Sequence, residues 1–113
     1  MAYEVNGKTI ETTDTGYLVN HDEWDNDVAI AIADAEAVTL TQDHWDVIDY
    51  LRDAYFNHNG EQPNNRAMLK AIQERWPDRN VDNKMLFDLF PGNPSKQAGK
   101  IAGLPESLRK GGY

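Results

Sequence analysis

The chain contains no cysteine in 113 residues. That excludes disulfides, thiolate metal ligands and thiol catalysis by its own side chains. It also lacks any apolar run near the roughly 18 residues that a membrane-spanning helix needs. Its first residues, MAYEVNGKTI, have neither the basic nor the apolar region of a secretory signal. A cytoplasmic location is the resulting expectation. Histidine is scarce: His21, His44 and His58 form no i, i+4 pair and no HExxH pattern, so neither a metal site nor a cofactor is expected. His44, in the first turn of an expected helix, reads as a surface or capping residue. Serine occurs only as Ser95 and Ser107, and neither sits in a GxSxG setting. No glycine-rich phosphate loop is present. No repeat or low-complexity tract divides the chain, and its length fits one domain.

What is present is charge, unevenly placed. The net charge is -8, which argues against a general nucleic-acid binder. Residues 1–65 hold Lys8 and Arg52 against fourteen acids, whereas residues 66–113 hold nine Lys and Arg against five. The second half is therefore basic, and two solvated faces of one domain account for this most simply. The carboxylates Asp43, Asp46, Asp49 and Asp53 recur at three- and four-residue spacing and read as an exposed helix strip.

The local signals give a hairpin and then helices. Asn6-Gly7 between two short alternating runs is the pattern of a two-residue turn that needs positive φ twice. Gly16 marks a second turn. A helix is expected over 22–35, from Trp24, Val28, Ile32 and Ala35 at helical spacing and from acids in its first turn. A second is expected over 42–56, capped by Thr41, with Leu40 and Trp45 as a staple and Trp45, Ile48, Leu51 and Tyr55 inward. A third covers 66–75, stopped by Trp76-Pro77. A fourth covers 83–89, after Asp82. FPGNP, 90–94, reads as a rigid loop. A fifth covers 95–102, closed by Gly103 with Pro105 beyond. The three tryptophans read as core anchors. The fold expected is mainly α: an orthogonal helical bundle of about five helices with a small N-terminal β-hairpin. Residues 1–103 would form the domain and 104–113 a flexible tail.

One stretch is more specific than periodicity. MLFDLFPGNPSKQAGKIAGLP resembles the LFPxGPxKQAxxxAGLP block of the DsrC/TusE family, sulfur-relay proteins that include the gamma subunit of dissimilatory sulfite reductase. The VNGK hairpin, the GYL turn, LTQDHWDVIDYLRDAY and RAMLKAI follow the family's order over nearly the whole chain. The resemblance implies the family's helical bundle with an N-terminal hairpin. It also implies a penultimate cysteine that carries sulfur as a persulfide on a mobile tail, delivered into a partner's active site. Some members have a second cysteine directly after KQA.

This sequence departs from both patterns. Gly99 follows Lys96-Gln97-Ala98, and Gly112 is the penultimate residue. The stretch between them is slightly longer than in the family. Glycine has no side chain to bond sulfur. The expectation is a docking or regulatory module, not an enzyme, whose partners are sulfite reductase or sulfurtransferase-type proteins or cysteine-bearing relatives. Lys96, Lys100, Arg109, Lys110 and Tyr113 would be its contact set. The competing reading is a regulatory DNA contact through Arg66, Lys70, Arg75, Arg79 and Lys84, for which a helix-turn-helix over the third and fourth helices is a weak signal because WPDRNVD is long for that turn. An active sulfur relay is a third reading and would need a partner's thiol.

Overall fold

Asn6 and Gly7 adopt φ of 53° and 79°, the two positive values that close a tight hairpin with the native strand twist. They join β1 (Ala2–Val5) to β2 (Lys8–Glu11), antiparallel, with Ala2 opposite Glu11 and Val5 opposite Lys8. A second tight turn follows. Gly16 takes φ 91°, the Thr13 amide donates to the Tyr17 carbonyl, and Thr12 pairs with Leu18. This puts Tyr17 and Leu18 into the interior. The computed structural model describes residues 2–106.

Five α-helices follow: α1 (Asn26–Ala35), α2 (Gln42–Asn57), α3 (Asn65–Arg75), α4 (Asn83–Leu89) and α5 (Pro94–Ile101). The mainly helical bundle with its N-terminal hairpin is as expected. The helix expected over 22–35 is two elements. Asn20 accepts from the Asp22 amide and starts a short 3₁₀ turn, His21–Glu23. Asp25 then accepts from the Val28 amide and starts α1. Two capping side chains in succession begin two separate helices, and Trp24 lies extended between them. Trp24 is therefore not part of the α1 stripe. That stripe is Val28, Ala29, Ile32 and Ala33, and Ala35 is exposed.

The start of α2 shows how the sequence dictates a cap. Thr41 precedes it, and His44 Nδ1 accepts the Thr41 amide at 3.0 Å. His44 Nε2 donates to the Leu89 carbonyl at 2.8 Å, tying α2 to the end of α4. His44 is thus a capping residue, and a buried one, with its ring edge-on to Phe90. The connection after α3 is held by Trp76, whose indole donates to Asp46 at 3.0 Å, and by Arg79, which donates twice to Asp43 at 2.9 and 2.6 Å. The carboxylate strip on α2 therefore serves partly as a set of internal acceptors.

α5 is the centre of the bundle and packs against α1, α2, α3 and α4. Its buried residues are Pro94, Gln97, Ala98 and Ile101, an i, i+3, i+4, i+7 stripe. Ala98, fully buried, is small enough to let neighbouring helices approach. No helix among the described residues is long and apolar enough to cross a membrane.

Candidate functional site at the end of the central helix

The N-terminal end of α5 is fixed from three sides. Asn93 holds φ 91° ahead of Pro94 in the first turn, where a missing amide hydrogen costs nothing. The Ser95 amide donates to Asn65 Oδ1 at 2.8 Å, and the Gly92 amide donates to Gln97 Oε1 at 2.9 Å. The buried Gln97 also reaches Glu36 at 3.3 Å. Glu36 pairs in turn with Lys100, whose ammonium lies 5.3 Å from the Tyr17 ring centre. Burial, with Glu106 and Glu36 nearby, raises the Tyr17 phenol above its ordinary pKa.

The C-terminal end is held still more completely. A helix leaves its last carbonyls without partners. Here Gly103 takes φ 76°, its amide donates to Lys100 O, and the Leu104 amide donates to Gly99 O. That is the Schellman pair of bonds. The carbonyls beyond them meet side chains from elsewhere in the chain. Trp24 Nε1 donates to Ile101 O at 2.8 Å. Arg52 Nη1 donates to Ala102 O at 2.7 Å, and His21 Nδ1 to Gly103 O at 2.8 Å. Gln62 Nε2 donates to Pro105 O at 2.7 Å. Arg52 is itself stacked, 3.8 Å over Trp24 and 4.7 Å from the Phe56 ring centre. Burial lowers the Arg52 pKa from a value so high that the guanidinium stays charged.

Leu104 is only 2% exposed. Glu106 accepts from Thr15 at 2.7 Å. Residues 104–106, expected in the tail, are thus anchored on the domain, because the carbonyl cage and the Leu104 side chain continue the core past Gly103. Gly103 cannot carry a side chain here: a Cβ would lie 2.3 Å from Trp24 Cδ1.

Beside this base is a small cleft lined by Tyr17, Leu51, Pro63, Lys96, Gly99 and Leu104, among others. Its room of about 20 Å³ suits one water-sized group. At Gly99 a Cβ would meet nothing within 4 Å. Of the expected contact residues, Lys96 lines the cleft, while Lys100 is committed to Glu36. Arg109, Lys110, Gly112 and Tyr113 lie outside the described residues.

The second expected set does not converge. Arg66, Lys70 and Arg75 are exposed on α3, but nine residues at about 100° each put Arg75 on the far side of the helix from Arg66. Arg79 is bound to Asp43 and stacked 4.2 Å from the Trp76 ring centre, and Lys84 pairs with Asp88 one turn along α4. Of the cage residues, the sequence reads Trp24 as a core anchor and His21 as part of no metal pattern, and it marks no site at Arg52 or Gln62. Arg52 did carry a signal: it is one of two cations in the first 65 residues, set among apolar helix positions.

The model of the DsrC like protein family matches residues 4–109. The chain belongs to the DsrC family. Among curated relatives, "Sulfurtransferase TusE" of Photorhabdus laumondii is 40% identical over 103 residues, covering 91% of this chain and 92% of that protein. The protein of the same name from Escherichia coli K12 is 38% identical, covering 91% and 94%. Among solved structures, Allochromatium vinosum DsrC superposes with a TM-score of 0.86 at 35% identity, covering 96% of both chains. The oxidized gamma-subunit of the dissimilatory sulfite reductase from Archaeoglobus fulgidus gives 0.86 at 32% identity, covering 96% of this chain and 98% of that one. In this member of the DsrC family the central helix ends in a side-chain cage.

Proposed function

We propose that this chain is a docking or regulatory module of a sulfur relay and carries no sulfur itself. One observation carries the reading: 113 residues contain no thiol, and the open space at the Gly99 Cβ has no side chain in it. Persulfide transfer proceeds by thiolate attack at sulfur, and no other side chain substitutes for it. The cage supports the docking half of the reading. It holds the backbone up to Pro105 in place on the domain, a rigid base for docking. Lys96, Lys100, Arg109, Lys110 and Tyr113 form the contact set, with Lys100 contributing as part of that base. The partners are sulfite reductase or sulfurtransferase-type proteins, where this chain competes with cysteine-bearing relatives.

The test is a binding experiment with the other subunits of a dissimilatory sulfite reductase and with a persulfide-donating sulfurtransferase. The full chain is compared with one ending at residue 106, which keeps the buried Leu104. Expected are binding that needs residues 107–113, displacement of a cysteine-bearing relative, and no gain of sulfur mass on this chain. Sulfur loading, or absence of binding to either class, overturns the proposal.

A further inference from the structure

A different face carries an observation that the cage does not use. α4 turns Leu86 fully inward and packs Met85 and Leu89 against the core, yet leaves Phe87 43% exposed. Phe87 lines an open cleft of about 340 Å³ together with Asn65, Arg66, Leu69 and Asn83. Lys70 follows Arg66 by one turn, on the same side of α3. Among the described residues neither Arg66 nor Lys70 forms an ion pair, whereas Lys8, Arg79, Lys84 and Lys100 all do. The cleft lining itself contains no carboxylate. On a chain of net charge -8, this is an apolar groove with an uncompensated positive rim.

We propose that this α3–α4 groove docks an acidic protein segment that presents an apolar side chain. The apolar side chain fills the cleft between Leu69 and Phe87, and the flanking carboxylates meet Arg66 and Lys70. Burial of Phe87 supplies affinity, and the two cations supply orientation and a faster encounter. A nucleic acid fits less well. Among the described residues Arg66 is the one cation in the cleft lining, with Lys70 one turn further along α3 and Arg75 on the far side of that helix, and the acidic half of the molecule repels an extended polyanion. The surface is separate from the cage, and the proposal stands without the sulfur-relay reading.

The test uses the full chain, ¹⁵N-labelled, titrated at low salt with a synthetic amphipathic peptide of glutamate and leucine. The same peptide with lysine for glutamate, and a short DNA duplex, are run in parallel. Expected are amide shifts confined to residues 65–70 and 83–87 with the acidic peptide alone. Phe87→Ser, and separately Arg66→Glu with Lys70→Glu, weaken the binding about tenfold or more. Lys84→Ala leaves it unchanged. These side chains are exposed, so the variants keep the parent's circular dichroism and melting curve. No localised shift with the acidic peptide overturns the proposal. So do equal shifts with the basic peptide, or shifts of the same amides with DNA alone, which would assign the face to nucleic acid.

Discussion

Gly99 and Gly103 stand four residues apart on the same helix end and obey opposite constraints. Gly99 is helical, and open space lies where its Cβ would be. A helix-interior glycine loses more backbone entropy on folding than alanine does. Gly99→Ala is therefore expected to stabilise the chain by about 0.5–1 kcal/mol, read as a higher urea midpoint at unchanged slope. Gly103 has φ 76° and Trp24 against it. Gly103→Ala is expected to destabilise by about 2 kcal/mol or more, from the left-handed backbone and the displaced indole together. If both variants moved the midpoint the same way, the distinction drawn between the two glycines would be wrong.

At the scale of elements, the cage joins pieces that are far apart in the chain. His21 and Trp24 come from the segment before α1, Arg52 from α2 and Gln62 from the loop before α3. All donate to carbonyls between Ile101 and Pro105. Arg52→Ala leaves the Ala102 carbonyl without its charged donor and Trp24 without its stacking partner. A loss of about 2 kcal/mol is expected, the usual range for a hydrogen bond to a charged group. Stability alone would not identify the cage. Amide hydrogen exchange should also rise selectively at Gly103 and Leu104, whose amides close the helix end, while the α3 amides keep their protection. A uniform rise along the whole chain would mean that Arg52 serves general packing only.

For the whole molecule, two of the ion pairs among the described residues join the acidic and basic halves, Asp43–Arg79 and Glu36–Lys100. The Asp43–Arg79 pair links α2 to the connection after α3. Hydrogen bonding to Arg79 is the main cause that holds the Asp43 carboxyl below its ordinary pKa. A carboxylate with a lowered folded-state pKa adds stability above its unfolded value and loses it as pH falls through the folded one. Asp43→Asn should therefore melt below the parent at pH 7 and match it only in acid below the lowered folded-state pKa, where the parent carboxylate is protonated too. The difference at pH 7 will be small and will shrink with salt, since both side chains face water. A gap that persists in acid would show that the asparagine disturbs something other than charge.

The sequence by itself determined the local pieces, because their causes are local. Asn6-Gly7 specifies the hairpin, Thr41 and Asp82 mark helix starts, Gly103 marks a helix end, and the apolar spacing gives five helices. It also determined the chemistry that is excluded, since the absence of cysteine needs no coordinates. It misjudged the 22–35 segment, because Asn20 and Asp25 each cap a start of their own and the helical spacing counted from Trp24 runs across both. The tertiary structure alone decided where the tail base ends, which carbonyls the cage holds, and that Arg79 and Lys84 are internally paired while Arg66 and Lys70 are not. Each of those depends on side chains tens of residues apart coming within hydrogen-bond or ion-pair reach, and periodicity along one segment carries no record of such distances.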